Sequence, residues 1–238
     1  MEKDVRLSTL DVRQKNMYTA DKREGNHLCD ILFRLFGHAS ISISHAGRHI
    51  YVDPCLSECD YVGLPKADLI LVTHHHDDHF DPKAIEYLSK AATMVVCPTN
   101  MMEQIDGALD LGPGQRMHLM PWGMVETVAA YNIERPQYHP RERGDVGYVL
   151  TIAGKRIYIA GDTEQTPEMV AVPDVDYLFL PVNLPYTMTV ESAVEAARKI
   201  NPKVFYPIHT IGTPQEEIER IPEMLADTDI EVFIAPME

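Results

Sequence analysis

The feature that most limits what this chain can fold into is the run Leu69-Ile70-Leu71-Val72-Thr73-His74-His75-His76-Asp77-Asp78-His79. An apolar stretch of strand length passes without a break into a cluster of histidines and aspartates. Asp81-Pro82 then opens a helical segment, with aspartate as the N-cap and proline at the first helical position. Loops at strand ends are where a rigid sheet presents side chains to a cleft. Neutral imidazoles and carboxylates are the donors that a borderline divalent ion such as zinc accepts. His74, His76, Asp78 and His79 lie too close in sequence to surround one ion, but they can split into two sets facing two adjacent ions. His75 and Asp77 fall between them and read as spacers. A tract that bound metal only opportunistically would have no reason to sit between a strand and a capped helix.

The rest of the chain supplies a scaffold. Apolar runs at 31–36, 40–44, 49–52, 94–97, 125–130, 146–152, 156–160, 177–180, 204–206 and 231–234 read as further strands. Gly47-Arg48 and Gly154-Lys155 read as hairpin turns. Helical spacing is expected over 82–89, 99–105, 189–199 and 214–225, with Thr189 and Thr213-Pro214 as starts. In each half, strands come first and strand–helix alternation follows, which fits two sheets sandwiched between helices. No internal repeat or linker interrupts the sequence, so one domain is expected over 1–238, with about 1–28 as an N-terminal extension. Met101, Met102, Met117, Met120 and Met124 are read as core filler.

Charge narrows the partners. Asp and Glu number 36 against 21 Lys and Arg, a net charge of −15, so a nucleic-acid backbone would be repelled. A small-molecule substrate is expected instead, and an oligomer stays open. No apolar run is long enough to span a membrane, no secretory signal is visible, and a cytoplasmic location is expected. Cys29, Cys55, Cys59 and Cys97 form neither a disulfide framework nor a structural zinc set and are read as reduced thiols.

His74-x-His76-x-Asp78-His79 resembles the HxHxDH signature of the metallo-β-lactamase superfamily. The resemblance extends to Gly37-His38-Ala39-Ser40 and Val52-Asp53-Pro54 upstream. Downstream it takes in Ile157-Tyr158-Ile159-Ala160-Gly161-Asp162-Thr163 and Phe205-Tyr206-Pro207-Ile208-His209-Thr210. It implies an α/β fold, a four-layer αββα sandwich with the site at the sheet edge. It also implies two divalent metal ions, zinc by default, with manganese or iron suited to the same donors. His74, His76 and His139 would hold one ion, Asp78, His79 and His209 the other, and Asp162 would bridge. Of the two histidines between the signature and Asp162, His139 matches the family order of a histidine loop before a strand; His118 is read as structural. Asp78 is the residue expected to orient the nucleophile. Asp53 and His38 are candidates to hold the outer nitrogens of the ligating imidazoles.

The segments Gly37-His38-Ala39-Ser40, Gly161-Asp162-Thr163 and Tyr186-Thr187-Met188 look most like the branch with L-ascorbate-6-phosphate lactonases and N-acyl phosphatidylethanolamine phospholipase D. That resemblance implies a metal-dependent hydrolase whose metal-bound hydroxide cleaves a phosphodiester, lactone or related ester. The alternatives are a catalytically inactive metal-binding sensor or scaffold, and a thiolester hydrolase of the glyoxalase II type. The latter normally carries a C-terminal substrate domain, for which no room is left after His209. Asn183, Tyr186 and Tyr206 lie near expected strand ends and are read first as packing residues.

Overall fold

The computed structural model describes residues 17–19 and 31–235. One sheet runs, in order, β1 (Met17–Thr19), β2 (Leu32–Gly37), β3 (Ser40–His45), β4 (Arg48–Val52), β5 (Leu69–Leu71), β6 (Met94–Cys97) and β7 (Leu109–Asp110). The other contains β8 (Arg116–Leu119), β9 (Gly123–Ala129), β10 (Val146–Ile152), β11 (Lys155–Ile159), β12 (Tyr177–Pro181), β13 (Val204–Ile208) and β14 (Glu231–Val232). Each sheet starts as an antiparallel meander and becomes parallel, at β4–β5 in the first and at β11–β12 in the second. The helices are α1 (Pro82–Leu88), α2 (Pro167–Val170), α3 (Val190–Ile200), α4 (Gln215–Glu219) and α5 (Ile221–Met224).

Alternation along the strands decides the layering. Successive side chains of a strand point to opposite faces, and here both faces are buried. Ile50, Val52, Leu69 and Leu71 point inward to meet Tyr148, Leu150, Ile157, Ile159 and Phe179 of the other sheet. Their outward neighbours Tyr51, Ile70 and Val72 pack under Ala84, Ile85 and Leu88 of α1. On the other side Val149, Tyr158, Leu178 and Phe205 pack under Val190, Ala193, Val194 and Ala197 of α3 and Ile218 and Ile221 of α4 and α5. Strands apolar on both faces therefore read as continuous runs rather than alternating ones. The middle is closed by Phe33, whose ring lies 5.1 to 5.7 Å from those of Tyr177, Phe179 and Tyr206. The expected αββα order is thus present, and Tyr206 belongs to this core.

Several local expectations are corrected. The hairpin turns are Ala46-Gly47 and Ala153-Gly154, one residue earlier than expected, with φ of 48° and 75° in the first and 50° and 74° in the second. Two positive φ values in succession are what a two-residue turn between right-twisting strands requires. The 99–105 segment winds as a 3-10 turn, Thr99–Gln104, rather than an α-helix. The 214–225 segment breaks into α4 and α5 at Arg220, because Pro222 has no N–H to donate and its ring crowds the carbonyl four residues back. Thr213 does not cap α4; its hydroxyl donates to the Val182 carbonyl instead (2.7 Å). Asp81 and Thr189 do cap their helices, accepting from Lys83 and Ala84 N–H and from Ser192 N–H. Of the five methionines expected in the core, Met101 alone is fully buried, while Met102 and Met120 are exposed. Cys55 and Cys97 are free thiols, and Cys29 lies outside the described residues. No helix among the described residues is long and apolar enough to cross a membrane.

Candidate metal centre

Most chemistry-bearing segments leave the carboxyl end of a strand with a parallel neighbour, where ligand clefts form in such sheets; His38 and His139 come instead from the connections of the antiparallel pairs β2–β3 and β9–β10. β4 delivers Asp53, β5 the turn at 73–79, β11 Asp162, β12 Asn183 and β13 His209. Two backbone hydrogen bonds join the sheets at this edge: Val146 N–H to the Thr73 carbonyl (3.2 Å) and His209 N–H to the His38 carbonyl (2.9 Å). The Gly161-Asp162 turn is wedged where the two sheets meet, so closely that a Cβ on Gly161 would lie 3.0 Å from the Val146 carbonyl oxygen of the second sheet and 3.1 Å from Thr73 Cβ beside the first; its φ is +66°. Three flanking residues, His38, Asp53 and His209, also sit in the left-handed region, with φ of 45°, 45° and 53°. Such strain in non-glycine residues gathers where a site over-determines the backbone.

The seven residues expected as ligands converge. Donor atoms lie within 4.8 Å of one another in the sets His74–His76–His139, His74–His79–Asp162 and His38–Asp78–His79–His209. Asp162 is at the centre, 3.4 Å from His79 Nε2, 3.5 Å from His139 Nε2 and 3.2 Å from His209 Nε2. Asp78 Oδ2 lies 3.9 Å from His79 Nε2 and 3.7 Å from His209 Nε2. His75 and Asp77 face solvent, as spacers should, and the exposed His118 on β8 is in none of the sets.

Outer nitrogens are held and inner ones are not. Thr73 Oγ1 lies 3.0 Å from His74 Nδ1, Asp53 Oδ2 lies 2.8 Å from His79 Nδ1, and the Asn183 amide reaches His209 Nδ1 at 3.3 Å. By contrast His74 Nε2, His79 Nε2, His209 Nε2 and Asp162 Oδ1 are buried and have no hydrogen-bond partner. Buried polar atoms are nearly always satisfied. Four orphans facing one another, all of metal-ligand type, fit a cation at their centre.

Charges in the pocket agree with this. Burial lowers His76 to about 4, helped by His139 and Arg143, so that ring is neutral at pH 7. Burial also pushes His74 well down. For His209, burial opposes the charge, but the Asp162 and Asp78 carboxylates outweigh it and raise the ring to about 10. Burial opposes the ionised form of Asp162 as well, yet His209 and His79 hold it far below the carboxylate range. Protons on His209 thus occupy the place a dication would take, and a metal must displace them.

Asp53 is the residue behind the site that the sequence placed correctly. It is buried and accepts from Thr73 N–H (2.7 Å), Thr73 Oγ1 (2.6 Å) and His79 Nδ1 (2.8 Å). Asp53→Ala should weaken metal binding about 10- to 100-fold, as loss of such supports does. A chelator competition that returned the wild-type affinity would remove Asp53 from this role. His38 proves to hold a carboxylate rather than an imidazole: its Nε2 lies 2.8 Å from Asp78 Oδ2.

Three supporting residues were not foreseen. Arg143 is clamped by Asp145 (2.6 Å) and reaches His139 Nδ1 at 3.0 Å and His76 Nε2 at 3.3 Å. Glu164 accepts from the Ile133 and Glu134 N–H groups, both at 2.7 Å, and pairs with Arg135 at 2.9 Å, fixing the loop that carries His139. The sequence marked Glu164 only by its place just after Gly161-Asp162-Thr163.

A four-layer sandwich with this histidine–aspartate edge is the architecture of the metallo-β-lactamase superfamily, to which the chain belongs: residues 33–209 match the family described as "Beta-lactamase superfamily domain". Its relatives include the UPF0173 metal-dependent hydrolase of Enterococcus faecalis, 33% identical over 73% of this chain and 83% of that protein. Among solved structures, one described as a metal-dependent hydrolase from Parabacteroides distasonis is 40% identical. It superposes with a TM-score of 0.82 over 88% of this chain and 94% of that one. Igni18, a metallo hydrolase from Ignicoccus hospitalis, shares the fold at a TM-score of 0.71 and 22% identity, over 87% of this chain and 96% of its own. The chain is accordingly a metal-dependent hydrolase of this superfamily.

Proposed function

We propose that the chain hydrolyses a phosphodiester, lactone or related ester at a centre of two divalent ions, zinc being the default. His74, His76 and His139 would hold one ion; Asp78, His79 and His209 would hold the other, and Asp162 would bridge them. The observation that carries this reading is the Asp162 carboxylate within 3.2–3.5 Å of three imidazole nitrogens. Five imidazoles and two carboxylates form a nitrogen–oxygen cage that suits zinc, and manganese or iron fit the same donors. Held by these residues, two such ions would supply an acidified water and would offset the charge that develops at the attacked centre. Asp78 is the acidic member with an open side, its side chain 45% exposed. Held by His38, it is placed to orient the attacking water toward the substrate. Water adds at the carbonyl carbon or phosphorus, the ester C–O or P–O bond breaks, and the leaving oxygen takes up a proton. The free thiols at Cys55 and Cys97 suit a reducing, cytoplasmic setting.

The test is elemental analysis of the purified protein together with turnover of a lactone, a phosphodiester and an acyl ester, with His75→Ala as the control. Two equivalents of metal and metal-dependent turnover, unchanged in the control, are expected. Metal binding without turnover of any of the three would favour a sensor or scaffold. Loss of a metal in His75→Ala would overturn the division into ligands and spacers.

A further inference from the structure

A cavity of about 300 Å³ opens directly beside the centre, sharing His38 and His209 with it. It lies between the edge of β2 in one sheet and that of β13 in the other. Leu35, Phe36, Ile208, Ile211, Ile218 and Ile234 form the apolar part of its wall, and Thr210 and Gln215 add uncharged polar groups. The charge at its border is acidic, from Glu58, and no lysine or arginine lines it among the described residues. Two of its bordering side chains carry buried polar atoms without a partner, His38 Nδ1 and Gln215 Oε1; the His38 side chain is only 7% exposed.

The surroundings point the same way. The three arginines near the centre are each neutralised, Arg135 by Glu164, Arg141 by Glu168 and Arg143 by Asp145. Hence no uncompensated guanidinium among them can hold a phosphate or carboxylate remote from the metals. The loops that carry or brace the ligands expose large apolar side chains instead: Leu56, Ile133, Leu184, Tyr186 and Ile211. Tyr186 stacks edge-on against Tyr138 (4.9 Å), and its carbonyl accepts from the Asn132 amide (2.7 Å), so the loops beside His209 and His139 form one rim. Apolar walls with a few convergent polar atoms are the usual make-up of a small-molecule site.

We propose that this cavity takes the uncharged apolar arm of an acyl ester whose carbonyl sits at the metal centre, so that the substrate is a neutral ester or lactone with an aliphatic chain. The inference rests on the hydrolase reading and names the substrate class for the same site. Burying one methylene contributes about 0.8 kcal/mol, which corresponds to roughly a fourfold change per carbon.

Alkyl hydroxamates, which present a metal-binding head on an aliphatic tail, probe the cavity without turnover. Calorimetry on the metal-loaded protein should show affinity rising about two- to fourfold per methylene from acetohydroxamate to octanohydroxamate. A terminal carboxylate on the octanoyl chain should cancel most of that gain. Ile211→Asp, at an exposed position, and Ala235→Phe, which fills the cavity, should each flatten the slope. Met120→Asp, remote from this edge, should leave it intact. The same series as 4-nitrophenyl esters should show the slope in kcat/KM. A flat chain-length profile, or equal binding of the carboxylated chain, overturns the cavity assignment. Turnover without a slope would leave the hydrolase standing and remove only the cavity; a hydroxamate slope without any turnover would do the reverse.

Discussion

Asp162→Ala is expected to lower kcat/KM by about 10³-fold or more and to reduce bound metal from two equivalents to one or none. Metal ions supply several kcal/mol of charge stabilisation, and each 1.36 kcal/mol is tenfold in rate. The Asp162 carboxylate lies within 3.5 Å of imidazoles from both histidine sets, so removing it uncouples them. Its effect on folding should be small. Burial works against the ionised carboxylate, which is kept charged only by the surrounding imidazoles. Removing one member of a buried charge pair is costly when its partner stays charged, but His79 and His209 owe much of their charge to Asp162 and can shed protons with it, which limits that cost. The metal-free variant should therefore melt within a few degrees of the wild type while losing metal and activity. Wild-type activity with two metals retained would end the bridging assignment; a collapsed fold would show that Asp162 is structural instead.

Gly147→Ala should have the opposite signature, unfolding the protein rather than disarming it. A Cβ at Gly147 would stand 2.4 Å from the Ala160 carbonyl oxygen, 2.7 Å from Ala160 C and 2.8 Å from the Ile159 oxygen. All three are backbone atoms of the strand that carries Gly161 and Asp162, so no flexible side chain can move aside. Overpacking ordinarily costs 1–3 kcal/mol; with backbone on every side, about 3 kcal/mol or more is expected. For a chain of this size that is a fall of about 6–12 °C in Tm. Urea melts of the two proteins check it, and a difference below about 1 kcal/mol would show that β10 and β11 separate easily.

These two residues also mark how far the sequence could be read. Asp162 was legible because Ile157–Thr163 resembles the Gly-Asp-Thr strand end of the superfamily. Gly147 was not, because nothing local distinguishes a glycine that must admit a neighbouring strand from one that merely interrupts a run. Arg143 was missed for the same reason: its partner His76 is 67 positions away, and no periodicity links them. Pro222 carried a signal for the break between α4 and α5 that the expectation of one helix over 214–225 did not use.

The sequence by itself determined the donor types, most of the strands that carry them and, through strand runs followed by strand–helix alternation in each half, the sandwich. Those properties depend on neighbours a few positions apart, where strand and helix periods leave a pattern. The tertiary structure alone decided that His38 would grip Asp78, that Arg143 would reach across to His76, and that an acid-bordered apolar cavity would open beside the centre. Each depends on the two sheets meeting edge to edge, and contacts across 40 or more positions leave no period in the chain to be read.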